Sequence, residues 1–187
     1  MNDVNLTEEQ LALVSQLAAE AGARVALERI EKERQQDRKE MADRRLRNTK
    51  LLLRNYRLFK AHVENAVYEA ACDESPLEIL ADLMMPGRDN TLFVESIKKS
   101  VARTAIIVDH METMMRIYQA YCVTSGADDD RRRWRVVNGL YIDEHRETVA
   151  ELAKAEGVVE RTIYKDVDAA CEKIAALMFG IDGLKRR

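Results

Sequence analysis

The stretch TVAELAKAEGVVERTIYKDVDAA, Thr148 to Ala170, decides how this chain is read. Thr148 and Glu151 form a T-x-x-E capping box, the signature of a helix start. Val149, Leu152 and Ala153 then share one face, and Ala153 is small enough for a second helix to cross closely. Gly157 supplies the backbone freedom that a tight helix-to-helix turn needs. Val158 plugs the corner, and Ile163, Val167, Ala170, Ile174 and Leu177 line one face of a second helix. The stretch therefore predicts two short amphipathic helices around a turn.

A third helix is at hand upstream. In RRRWRVVNGLYI, Arg131 to Ile142, residues Trp134, Val137 and Tyr141 recur at i, i+3 and i+7. Together the three segments predict a trihelical helix-turn-helix domain over residues 126–187, with Gly180 as a stop after the last helix. A second helix laid in a DNA major groove presents its N-terminal residues to the bases. Arg161 suits a guanine edge, Thr162 a base or phosphate, and Tyr164 and Lys165 a phosphate. Arg131, Arg132, Arg133 and Arg135 stand at the entry and would add phosphate charge. Val159 occupies the place where a Ser or Thr commonly caps such a helix, and acids outnumber bases between Glu144 and Asp168.

Working towards the N-terminus, TSGADDD is a polar stretch with a shift in composition, and it marks an expected domain boundary near residue 125. Asp128, Asp129 and Asp130 read as a solvated loop. Ahead of it, a helix ending near Cys122 carries Ile97, Val101, Val108, Met111, Met115 and Tyr118 on one face. Ile106, Ile107, Met114, Ile117 and Tyr121 widen that face, which predicts a central core helix. PGRDN breaks the chain, with Asp89 or Asn90 as a cap, and Pro76 opens a short helix.

The stretch RRLRNTKLLLRNYRLFK, Arg44 to Lys60, contains no acid. Leu52, Tyr56, Phe59, Val63 and Val67 follow one helical face, so Arg47, Lys50, Arg54 and Arg57 fall opposite it. That basic stripe is either a solvated face or a surface for phosphate or an acidic partner. Thr7 and Gln10 cap the first helix, where Leu11, Val14, Ala18, Ala21 and Val25 form a narrow apolar stripe. The heptad pattern fails after Ile30, which argues against a long coiled coil.

Composition agrees with an all-α protein: 187 residues, seven Gly, two Pro and 5% aromatic residues. The fold expected is an N-terminal multi-helix domain with long helices, residues 1–125, followed by the C-terminal trihelical domain. The formal net charge is only −3, so nucleic-acid contact must come from local patches. Cys72, Cys122 and Cys171 are far apart, as are His62, His110 and His145, so metal-site spacing is absent. With no phosphate-binding glycine loop and no nucleophile motif, the expectation is a non-enzyme without a cofactor. No apolar run nears the roughly 20 residues of a membrane span. The polar, acidic start MNDVNLTEEQ does not read as a signal peptide, so a cytoplasmic location is expected.

Two blocks, RTIYKDVDAACEKIAALMFGIDGL (Arg161 to Leu184) and RRLRNTKLLLRNYRLFK, together resemble the phage-encoded ArpU and RinA-like transcriptional regulators of Gram-positive bacteria, with their sigma-70 region-4-like C-terminus. The resemblance spans about residue 40 to the end. It implies a DNA-binding activator of phage or prophage late genes, with Arg161, Thr162, Tyr164 and Lys165 in the recognition role. The partners expected are double-stranded DNA, and for the N-terminal helices a second copy of the chain or RNA polymerase. The competing expectation is a protein-interaction adaptor, an RNA polymerase-binding protein or anti-repressor, whose helical hairpin is purely structural.

Overall fold

A computed structural model describes residues 7–65, 75–82 and 101–180. All regular structure there is helical, with no strand among the described residues. The helices are α1 (Glu8–Glu64), α2 (Pro76–Asp82), α3 (Val101–Thr124), α4 (Asp128–Val137), α5 (Val149–Ala155) and α6 (Glu160–Phe179). A π-helical turn, Asn138–Ile142, prolongs α4. Val67, Cys72, Asp89, Asn90 and Ile97, which the sequence singles out, lie outside the described residues.

By packing, the chain divides into Met1–Met41 and Ala42–Arg187. In the first unit α1 opens on the expected cap: Thr7 N–H donates to Gln10 Oε1 at 3.0 Å and Gln10 N–H to Thr7 Oγ1 at 3.4 Å. Every residue from Thr7 to Met41 is exposed, including Leu11, Val14, Leu17 and Val25. The polar stretch after Ile30 stays helical because nothing in it breaks a helix.

The second unit has one hydrophobic core. Leu52, Tyr56 and Phe59 of α1 are buried in it, as their spacing predicts. From α3 come Ile107, Val108, Met111, Met115, Tyr118 and Cys122. Ile117 and Tyr121 instead stay about half exposed, so α3 is buried on one side and not around its girth. Val136, Val137, Leu152, Ile163, Ala170, Cys171 and Ile174 complete the core from α4 to α6.

Near residue 125, where the sequence places a domain boundary, Gly126 at φ +71° turns the chain between α3 and α4. Tyr118 and Trp134, on either side of that turn, meet edge to face with ring centroids 6.2 Å apart. One expectation needs correction: the three aspartates are not a solvated loop. They form the first turn of α4, where acids favour the helix dipole, and Asp130 is buried.

Candidate nucleic-acid interface

The hairpin is built from its ends inward. At the start of α5 the capping box closes: Glu151 N–H donates to Thr148 Oγ1 at 3.2 Å and Thr148 N–H donates to Glu151 Oε2 at 2.7 Å. The Thr148 N–H and the Thr148 hydroxyl, both donating to Oε2, hold the Glu151 carboxyl below its usual range. At the far end Val158 N–H donates to Ala153 O at 3.0 Å and Gly157 N–H to Lys154 O at 3.3 Å. This is a Schellman ending, and it requires the left-handed backbone of Gly157, at φ +65°. Two residues later Val159, extended and exposed, leads into α6 with no side-chain cap.

Ile163, Val167, Ala170 and Ile174 turn α6 inward onto α4, α3 and α5. The opposite face carries Arg161, Tyr164, Lys165, Asp168 and Glu172, all exposed, with Thr162 at its edge. The four expected recognition residues therefore sit together on the first turn and a half of α6, open to solvent.

Four acids of this region are paired, while Glu160 and Glu172 of α6 stay exposed beside the bases. Asp166 is buried on the inner side of α6, where Arg132 Nε reaches it at 2.7 Å and Arg133 Nε at 3.5 Å. Asp130 meets Arg133 at 2.8 Å and Lys173 at 3.2 Å. Glu156 meets Arg135 at 2.5 Å, and Asp168 meets Lys50 at 2.7 Å. A carboxylate withdrawn from water needs such partners, because desolvation otherwise penalises its charge. Among the described residues no ion pair involves Arg161 or Lys165, whose charges face solvent.

This pairing divides the arginine run. Arg132 and Arg133 are tie-rods between α4 and α6, drawn inward by Asp166 and Asp130. Arg131, on Asp128 at 3.3 Å, and Arg135 remain more than half exposed and keep access to an outside anion.

No protein-family model, curated protein or solved structure matches the chain.

The basic stripe of α1 divides in the same way. Arg57 donates to three carbonyls at the end of the π-helical turn: Asp143 O at 2.6 Å, Leu140 O at 2.9 Å and Gly139 O at 3.3 Å. Lys50 is engaged with Asp168. Arg54 hydrogen-bonds Tyr141, whose burial pushes its hydroxyl above the ordinary tyrosine range. Arg47 and Arg54 are exposed. Together with Asp43, Leu46, Lys50 and Leu51 they line an open depression on α1.

Cys171 lies under Lys50 and Arg54, and burial pushes its thiol up to about 12. A thiol held protonated in this way is a core residue and not a nucleophile. Among the described residues no three His, Cys, Asp or Glu side chains gather as a metal site. No helix there is long and apolar enough to cross a membrane.

Sequence reasoning missed Asp130 and Asp166 as structural partners. The signal was present for Asp166: it falls three residues after Ile163 and next to Val167, on the inward phase of α6. An acid at a buried phase calls for a cation nearby, and the arginine run supplies it.

Proposed function

We propose that this chain is a DNA-binding transcription regulator that acts in the cytoplasm. In this reading α5, the Gly157 turn and α6 are a helix-turn-helix closed by α4, and α6 is the recognition helix. The observation that carries it is the exposed pair of bases on the first turns of α6. Asp166 and Asp168 are neutralised by arginines and a lysine of neighbouring helices, while Arg161 and Lys165 stand exposed and unpaired on the first turns. The uncapped N-terminus of α6 adds outward N–H groups, which favour an anion such as phosphate. The two sequence blocks that resemble phage ArpU and RinA-like regulators support the narrower reading, a late-gene activator with a sigma region-4-like C-terminus.

The test is selection of genomic DNA fragments by the purified chain at two salt concentrations, followed by sequencing. The expected result is one enriched motif that the double variant Arg161→Ala, Lys165→Ala no longer selects while its helicity is retained. A variant that still selects the motif would overturn the assignment of α6.

A second reading, a protein-interaction adaptor, is favoured by one observation: Leu11, Val14, Leu17 and Val25 are each more than half exposed on α1. Such a stripe is a surface for another protein, RNA polymerase or a second copy of the chain. Retention of a protein partner after nuclease treatment, with no fragment selected, would favour that reading over the first.

A further inference from the structure

We infer that Arg47 and Arg54 form a second phosphate-binding patch, which holds the DNA backbone beside the segment that α6 reads. The inference rests on the DNA-binding reading and extends it to a part of the chain far from the hairpin in sequence. Its starting point is the Lys50–Asp168 bond of 2.7 Å. Asp168 shares the exposed face of α6 with Arg161 and Lys165, at i, i+4 and i+7. The bond therefore seats the middle of the basic stripe two helical turns, about 10 Å, along α6 from Arg161. A major groove is about 12 Å wide, so the phosphates on its wall lie within reach of a side chain at that distance.

Two more observations fix the direction. The charges of Lys50 and Arg54 both act on Cys171, one turn beyond Asp168, so α1 runs along this flank of α6. The depression lined by Arg47, Lys50 and Arg54 opens to solvent on the same stretch. Within it the roles divide. Lys50 is a positioning residue, since its ammonium neutralises Asp168, the acid that lies along α6 between the two basic groups; Asp43 stands at the far end of the depression, beside Arg47. Arg47 and Arg54, exposed at the ends of the depression, carry guanidinium forks that match phosphate oxygens. An acidic protein partner would also suit two arginines. Continuity with the α6 face favours DNA.

The experiment is a salt titration of binding to a random-sequence DNA duplex. Random sequence isolates the phosphate contribution, and each phosphate contact adds about 0.9 to the slope of log affinity against log salt. Arg47→Ala with Arg54→Ala should lower the slope by about two contacts and weaken all duplexes equally. Asp168→Asn should do the reverse: it frees Lys50, removes a negative charge, tightens binding and raises the slope by about one contact. Far-ultraviolet circular dichroism of each variant checks that the helices persist. Unchanged slopes in folded variants, with normal wild-type binding, would overturn this inference alone. Wild-type chain that binds no duplex would overturn both it and the proposed function.

Discussion

Arg132 Nε lies 2.7 Å from Asp166 Oδ2, and this bond ties α4 to α6 through a carboxylate with only 5% of its side chain exposed. Arg133 backs it from 3.5 Å. Asp166→Ala should leave two guanidinium groups without their shared partner inside the unit. Arg132 keeps Asp129 at 2.9 Å and Arg133 keeps Asp130 at 2.8 Å, so the cost is that of the lost charged hydrogen bonds, about 2 kcal/mol. Urea denaturation should show that loss, with a clearly lower midpoint and little change in slope. A variant as stable as wild type would mean that Asp129 and Asp130 suffice for Arg132 and Arg133, and that α4 and α6 are held by apolar contact alone.

Val159→Ser should act in the opposite direction. Val159 already has the extended backbone of an N-cap, at φ −80° and ψ 150°, but offers no acceptor to the first turn of α6. A serine there gains about 1 kcal/mol in typical helices. Its hydrophobic contact is no great loss, since Val159 is 69% exposed. The expected readout is a higher melting temperature. A melting temperature at or below that of wild type would show that Val159 holds the turn by packing.

The Asp130 site makes stability depend on pH. Burial pushes its carboxyl up, but hydrogen bonds from Lys173, Ser125 and Arg133, with the Lys173 charge, outweigh that and hold it below the ordinary aspartate range. A lowered carboxyl stabilises the fold above its unfolded value, near 4, and loses that contribution as pH falls through the folded value. For Lys173 burial pulls the ammonium down, yet Tyr121 and Asp130 raise it overall, so its share holds at neutral pH and fades only at high pH. Asp130→Asn should therefore be destabilised at neutral pH and approach wild type in acid. Denaturation series at neutral and acid pH would check this, and a constant gap between the two proteins would sink the assignment.

Much of this arrangement was legible in the sequence, and the rest was hidden for identifiable reasons. Leu52, Tyr56 and Phe59 announced their burial through spacing, and Thr148, Glu151 and Gly157 announced the hairpin through local chemistry. Those signals depend on near neighbours, which a sequence displays directly. The boundary expected near residue 125 came from a change in composition. Composition changes at any polar turn, so it does not display what packs across one, here Tyr118 against Trp134. The partners of the basic stripe were hidden for a related reason. Its residues do lie opposite the Leu52 face, but α6 and the π-helical turn approach from that side. Long basic side chains can cover such a second contact with their stems while their heads find partners elsewhere, so no apolar residue marks it. The half of α6 that meets solvent was read correctly as a surface, and the pairing of its acids needed the fold.

Arg57 provides the clearest separation between a structural and a phosphate-binding arginine. Its guanidinium is shared by the carbonyls of Gly139, Leu140 and Asp143, where a helical turn ends and leaves acceptors without intrahelical donors. Arg57→Ala removes a charged donor from them and should cost about 2 kcal/mol. Arg57→Lys should recover only part of it, because one ammonium cannot span acceptors that a planar fork reaches together. Neither variant should change the salt dependence of duplex binding in the folded state, unlike Arg47→Ala with Arg54→Ala. Chemical denaturation measures the first expectation and the salt titration the second. A lower salt slope for Arg57→Lys would place Arg57 on the DNA with its neighbours, and would mean that the carbonyl contacts give way when a phosphate arrives.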